Sequence, residues 1–332
     1  MTKTPYKKCV HCGKCLSSCP SYRFFLKESF SPRGRNLLIA KNIDSYSFNY
    51  CLLCERCSKV CPQGISFPES YIKAKFSKGS FVLHPSDSLI FLKVLPFNQI
   101  QIRELDEKKL SPYFKEGDFY VYLSCGLKHL YPEALELTLS KIRHSPMKPH
   151  IPEGQGCCGI VFLGLGAKEV VKNYAKKLLT LFSEKKTLLT FCATCLWMIK
   201  RVYPQLFDVE QEKAAFEDLA NRTYFVIEFL RKMDYSLNLK EKDDILYHLP
   251  CHLDFSLTSE LNLLKGRIED FCCGSAKLTL WLRGFQREFS KHWRRRTLDK
   301  EVLATACTGC YLNFSSQLRY PPKVKHWLEL WV

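Results

Sequence analysis

The sequence predicts an α+β chain: a small helical module at the amino terminus, followed by two tandem α/β domains. Three observations carry this reading. Eighteen cysteines in 332 residues fall into two spacing patterns, and each pattern occurs twice. The first pattern is confined to the amino-terminal module, and the second occupies the rest of the chain. Through that second part, short apolar runs that end at a cysteine alternate with stretches of helical periodicity, as parallel α/β units do.

The first pattern is Cys9, Cys12, Cys15, Cys19-Pro20, repeated as Cys51, Cys54, Cys57, Cys61-Pro62. Three thiolates on one tight loop give soft donors for several irons held close together, and Gly13 lets the first loop turn. The trailing proline bends the chain away. This is the bacterial ferredoxin run, so residues 1–75 read as a helical bicluster ferredoxin-like module with two [4Fe-4S] clusters. In such modules the fourth cysteine of each run ligates the other cluster. One cluster is therefore assigned to Cys9, Cys12, Cys15 and Cys61, and the other to Cys51, Cys54, Cys57 and Cys19. Zinc sites use looser Cys pairs separated by a longer insert, a different spacing.

Between the runs, Ser31-Pro32-Arg33-Gly34-Arg35 precedes NLLIAKNI. Ser31 reads as an N-cap and Pro32 as the first helical residue. Arg33 and Arg35 are either a solvated helix start or cations near a cluster or a partner. Residues 76–117 read as a connecting segment. Its most apolar stretch, Leu89 to Leu95, contains Lys93, precedes Pro96 and is far short of the roughly 18 apolar residues of a membrane span.

The second pattern is a lone Cys, then Cys-Cys-Gly, then Cys-x2-Cys. It runs Cys125, Cys157-Cys158-Gly159, Cys192 and Cys195, then Cys251, Cys272-Cys273-Gly274, Cys307 and Cys310. The intervals Gly159–Cys192 and Gly274–Cys307 each hold 32 residues, whereas the first intervals hold 31 and 20. A tandem duplication with one trimmed loop gives this arithmetic, with domains at 118–235 and 236–332. FYVYLS, TLLTF, DDILYHLP and EVLATA read as buried strands that end at Cys125, Cys192, Cys251 and Cys307. In AKEVVKNYAKKLLTLF, Val170, Val171, Tyr174, Leu178 and Leu181 share a helical face; in WLRGFQREFSKHW, Leu282, Phe285 and Phe289 do. Ligands gather at the carboxyl ends of such strands. Adjacent cysteines diverge and suit two irons of one extended group. The residues alone allow a cubane plus a spare reactive thiol, or a larger opened cluster.

Composition narrows the class further. Disulfide-dense chains are short and core-poor, whereas this one is 46% hydrophobic. The formal charge of +17 counts cysteines as neutral; four clusters on eighteen thiolates bring it to about +7, which weakens a nucleic-acid reading. The start, MTKTPYKKCV, has no apolar core of a secretory signal. The expected location is the cytoplasm, with room for peripheral association at the inner face of the cell membrane.

The motifs CVHCGKCLSSCPSY, SPRGR and CLLCERCSKVCPQG resemble the iron–sulfur subunit of bacterial glycolate oxidase. LYHLPCHL, FCCGSAKL and TACTGCYLNF resemble the Cys-Cys-Gly domains of that subunit, of heterodisulfide reductase, and of the iron–sulfur subunit of anaerobic glycerol-3-phosphate dehydrogenase. The resemblance runs over nearly the whole chain. It implies that Cys125, Cys157, Cys158, Cys192 and Cys195 hold one noncubane [4Fe-4S] cluster, and Cys251, Cys272, Cys273, Cys307 and Cys310 another. SPRGR and CCGSA tilt toward the glycolate oxidase branch, while the two complete five-Cys sets lean toward the reductase branch.

The weaker signals are His248 and His252, which flank Cys251 as sulfur hydrogen-bond donors, proton carriers or ordinary packing. Gly164-Leu165-Gly166 is a fragment of a nucleotide-binding pattern without its third glycine or acidic residue. Lys168, Lys172 and Lys176, and Arg283, Arg287, Lys291 and Arg294, form basic stripes whose default is a solvated face. No flavin or NAD site is legible on this chain. The resemblance implies an electron-transfer subunit of a flavin-dependent 2-hydroxyacid (glycolate or D-lactate) dehydrogenase. A separate FAD-containing subunit would supply electrons and a quinone or other carrier would receive them. The alternatives are disulfide reduction at a five-Cys site and a glycerol-3-phosphate dehydrogenase iron–sulfur subunit.

Overall fold

The computed structural model describes residues 8–77, 102–235, 243–253, 267–275, 283–318 and 322–331. Within them the chain mixes helices with two four-stranded parallel sheets. Leu282, Leu89–Leu95 and the boundary between residues 235 and 236 lie at or within stretches outside the described residues.

Short helices build the amino-terminal module: Cys15–Ser18, Pro20–Phe25, Pro32–Ala40, Arg56–Lys59 and Phe67–Ser77. The Ser31 hydroxyl accepts the Gly34 N–H at 2.9 Å and Pro32 opens the helix, as the sequence predicts. Gly34 has a steric reason of its own. A Cβ there would sit 2.0 Å from the Glu28 carbonyl oxygen, so no other residue lets the helix start this close to the preceding turn.

The first sheet has the order β2-β1-β3-β4, with β1 Phe119–Tyr122, β2 Pro149–His150, β3 Thr187–Thr190 and β4 Thr223–Phe225. The second has the order β6-β5-β7-β8, with β5 Ile245–His248, β6 Arg267–Glu269, β7 Val302–Thr305 and β8 Lys323–His326. Every pairing is parallel: Phe119 faces Thr187 in one sheet and Ile245 faces Val302 in the other. All residues of β1 and β5 are buried, which is why both read as unbroken apolar runs.

The two sheets reach their Cys-Cys-Gly turns differently. In the first sheet, Gln155 ties the chain before Cys157 to β1: its oxygen accepts the Leu123 N–H at 2.7 Å and its amide donates to the Val121 carbonyl at 3.0 Å. In the second, the Leu249 N–H donates straight to the Glu269 carbonyl at 2.9 Å. One backbone bond replaces a side-chain strap, so β6 runs almost directly into Cys272.

Helix Lys168–Leu181 buries Val171 and Leu178 as predicted, along with Ala175. Val170, Tyr174 and Leu181 are half-buried against the core. Helix Arg283–Thr297 buries Phe285 and Phe289, and also Trp293. Gly166 is a left-handed helix C-cap at φ +77°, so the Gly-Leu-Gly fragment ends a helix. Lys172 and Lys176 pair with Glu169 and Glu212 and lie over the Phe207 ring.

Candidate metal centre

The two ferredoxin-type loops share one backbone design. His11 and Gly13 in the first run have φ +54° and +79°; the matching Leu53 and Glu55 in the second have φ +51° and +56°. Left-handed turns at these positions bend both loops sharply, at a cost for the three that are not glycine. Glu55 is held in that conformation from outside its own loop, because the Trp197 indole N–H donates to its Oε1 at 2.9 Å.

Cys19, Cys51, Cys54 and Cys57 line one cavity, together with Arg35 and Phe67. Arg35 is fully buried; it donates twice to the Ser47 carbonyl, at 3.1 and 2.9 Å, and its Nη1 lies 4.0 Å from the Cys19 sulfur. Burial pushes the Cys19 thiol up to about 11 even with this cation beside it. Arg33 instead pairs with Glu28 at 2.6 Å and donates to the His11 carbonyl at 3.0 Å, clamping the first loop. Burial raises the Cys15 thiol above its usual range. Helix Cys15–Ser18 packs on Arg56–Lys59, which ends just before Cys61.

Each five-Cys set is wired in the same way. Thiol contacts run Cys125–Cys157–Cys158–Cys195–Cys192 in one and Cys251–Cys272–Cys273–Cys310–Cys307 in the other. The glycine of each Cys-Cys-Gly is left-handed, Gly159 at φ +78° and Gly274 at +86°. That turn aims its N–H back at the first cysteine of the pair, at 3.3 Å to the Cys157 sulfur and 3.4 Å to the Cys272 sulfur. Space is limited too: a Cβ on Gly274 would lie 2.4 Å from the Phe289 ring.

The sets meet at Cys192 and Cys307, whose thiols are in contact. The Thr308 N–H donates to the Cys192 sulfur at 3.3 Å, and the Thr194 hydroxyl lies 3.0 Å from the Cys307 sulfur. The same hydroxyl lies 2.9 Å from His252 Nδ1. His252 Nε2 donates to the Leu53 carbonyl at 3.0 Å, and the imidazole stacks on Trp197. His252 thus reaches sulfur through Thr194 and joins both sets to the amino-terminal module. Burial holds it below the usual histidine range. His248 is packing: its Nδ1 lies 2.9 Å from the Thr305 hydroxyl, it sits between Trp293 and Phe314, and burial holds it at about 4.

The donor set fits a polynuclear iron–sulfur group. Soft sulfurs form an extended array, and among the described residues no three ligands converge on a single ion-sized point. The array shares its protons unevenly. Contact with Cys125 holds Cys157 well below the usual thiol range, and contact with Cys272 does the same to Cys273. Contact with Cys157 pushes Cys158 up, and burial pushes Cys310 up. A buried shell that holds protons in this way gives them up when a cation loads.

Sequence reasoning did not find Thr194, Trp197, Glu55 or the pair Arg56–Asp270. None belongs to a spacing motif; their roles come from contacts between distant segments. A cavity of about 520 Å³ opens between the module and the first sheet's helices, with Cys251, His252, Trp197, Lys59, Lys200 and Arg201 on its walls. Among the described residues no helix is long and apolar enough to cross a membrane.

Residues 5–65 match the family described as 4Fe-4S dicluster domain, and residues 119–200 match the cysteine-rich domain. The chain is 23% identical to a subunit of the fumarate reductase (CoM/CoB) of Methanothermobacter marburgensis, over 93% of this chain and 68% of that protein. It is 23% identical to the glycolate oxidase iron-sulfur subunit of Escherichia coli K12, over 98% of this chain and 93% of that one. Similarity to lactate utilization protein A of Lysinibacillus sphaericus is 27% over 54% of this chain and 87% of that one. The chain therefore carries a 4Fe-4S dicluster domain followed by a cysteine-rich domain, and its relatives include iron–sulfur subunits of oxidoreductase complexes.

Proposed function

We propose that this protein is the electron-relay subunit of a flavin-dependent 2-hydroxyacid dehydrogenase, with glycolate or D-lactate as the substrate of a separate FAD-bearing subunit. Electrons enter one at a time at the amino-terminal module and leave to a quinone or another carrier. The observation that carries this reading is the continuous array of sulfurs from the ferredoxin-type loops into both five-Cys sets. The likeness to a glycolate oxidase iron-sulfur subunit over 98% of the chain supports the choice of partner.

Iron–sulfur clusters supply one-electron storage and transfer when bound. The chain's residues hold and tune them. Cys9, Cys12, Cys15 and Cys61 form one cubane site, and Cys51, Cys54, Cys57 and Cys19 the other. The two five-Cys sets are the further sites, in tandem domains at 118–235 and 236–332 that follow the module at 1–75 and the connector at 76–117. N–H groups of Gly159, Gly274, Ser275 and Thr308 point at cysteine sulfurs. Such donors stabilise negative charge on sulfur and raise its potential. Burial of Cys158, Cys192, Cys195, Cys272, Cys273, Cys307 and Cys310 keeps water from the centre. The proposed setting is the cytoplasm, at or near the inner membrane face.

A second reading, disulfide reduction at a five-Cys site, is favoured by one observation: the cavity beside Cys251 gives a small molecule access to a complete set. Anaerobic purification of the native complex separates the two. The relay reading expects iron and sulfide for four clusters together with a copurifying flavoprotein. A chain that purifies without flavin and reduces disulfides from an artificial donor overturns it.

A further inference from the structure

Ten sulfurs stand in line across three parts of the chain: Cys54, Cys272, Cys273, Cys310, Cys307, Cys192, Cys195, Cys158, Cys157 and Cys125, with Cys251 branching at Cys272. The line leaves the ferredoxin-type module at Cys54–Cys272. It passes between the five-Cys sets at Cys192–Cys307. In chain order the first set follows the module, but in space the second set touches it.

From this juxtaposition we infer that electrons pass from the Cys54 site to the second five-Cys set at Cys272 before reaching the first set, and that Arg56 is the positioning residue for this crossing. The inference rests on the cluster assignments proposed above. Cys54 and Cys272 pack together inside a small buried cluster with Leu52, Phe285 and Phe289. Arg56 follows Cys54 by two positions, and Asp270 precedes Cys272 by two. Arg56 Nη2 pairs with Asp270 Oδ2 at 3.2 Å, and Nη1 donates to the Asp270 carbonyl. A two-pronged guanidinium fixes distance and orientation together, which an ammonium does not. The Trp293 indole N–H holds the far side, donating to the Cys272 carbonyl at 3.2 Å. One electron moves per crossing: the module's centre is oxidised by one electron, the second set's centre is reduced by one, and no bond or proton moves.

Magnetic coupling between paramagnetic centres is a direct readout of which sets are neighbours. Electron paramagnetic resonance of the dithionite-reduced chain, at matched protein concentration, compares wild type with four variants. Cys125→Ala/Cys195→Ala empties the first set and should leave the splitting of the module's signal intact. Cys273→Ala/Cys310→Ala empties the second set and should remove the part of the splitting that exceeds the coupling between the module's own two cubanes. Arg56→Gln, which removes no ligand and so stays informative if a cysteine variant fails to fold, should weaken the splitting at least twofold with iron content unchanged; Arg56→Lys should recover part of it. A splitting that disappears with the first set, or that ignores Arg56→Gln, overturns the inference while leaving the relay function standing. A wild-type second set without iron overturns both.

Discussion

Cys192 and Cys307 touch across the junction of the two sheets, each at the end of a buried parallel strand and each in contact with a polar group of the opposite cysteine turn. Thr308 gives its backbone N–H to one sulfur, and Thr194 sets its hydroxyl against the other. The Ala193 N–H bond to the Ala306 carbonyl, 2.9 Å, locks the two turns face to face. A loosening of one turn is therefore felt by both cysteine sets.

Thr194→Val tests that coupling. The change keeps the shape but leaves His252 Nδ1 without its partner and removes the contact to the Cys307 sulfur. The expected loss is about 1–3 kcal/mol of stability in denaturant titration. The spectrum of the second set should shift while total iron stays constant.

Gly274→Ala should be far more damaging than Gly64→Ala. Both glycines are left-handed, but a Cβ on Gly64 meets nothing within 4 Å, whereas on Gly274 it strikes the Phe289 ring. Conformation alone costs about 1–2 kcal/mol, and overpacking adds roughly 1–3. Thermal melts of the two variants should differ accordingly, and Gly274→Ala should lose iron from the second set first.

Cys54→Ser should remove the iron of one cubane and its signal, while the five-Cys sets still form. Iron analysis and magnetic resonance check this. Loss of every cluster at once would mean that the module and the sheets fold only together.

Acid sensitivity follows from two buried histidines. His248 and His326 are each held at about 4 by burial, against about 6.5 in the unfolded chain. A depressed value means the unfolded state takes up protons first as pH falls. The stability they confer is complete above pH 6.5 and is lost progressively down to 4. Between pH 7 and 5.5 each should cost roughly 1 kcal/mol. Urea titrations of His248→Gln and His326→Gln at constant iron content should show a flatter slope than wild type.

The strands at Cys125, Cys192, Cys251 and Cys307 were legible because a parallel strand buried on both faces is one apolar run. Both cysteine patterns were legible because ligand spacing is local. β8, which reads Lys-Val-Lys-His, carries no such run, and β2 is two residues long; both exist by pairing with a neighbour. His248 and His252 look alike in sequence, yet one packs between aromatic rings and the other bridges three parts of the chain. Glu55 takes the left-handed turn that Gly13 takes, and Trp197 and Arg201, far along the chain, hold it there. These features depend on long-range contacts that no local pattern encodes.

The most direct measurement is optical. The native complex is purified anaerobically with its partners, and the broad iron–sulfur absorbance is followed after glycolate or D-lactate is added. Bleaching by either hydroxyacid is the predicted result and makes this chain the relay for its oxidation. Absorbance that does not change, together with dithionite-reduced clusters that reoxidise when a disulfide is added, would contradict the account.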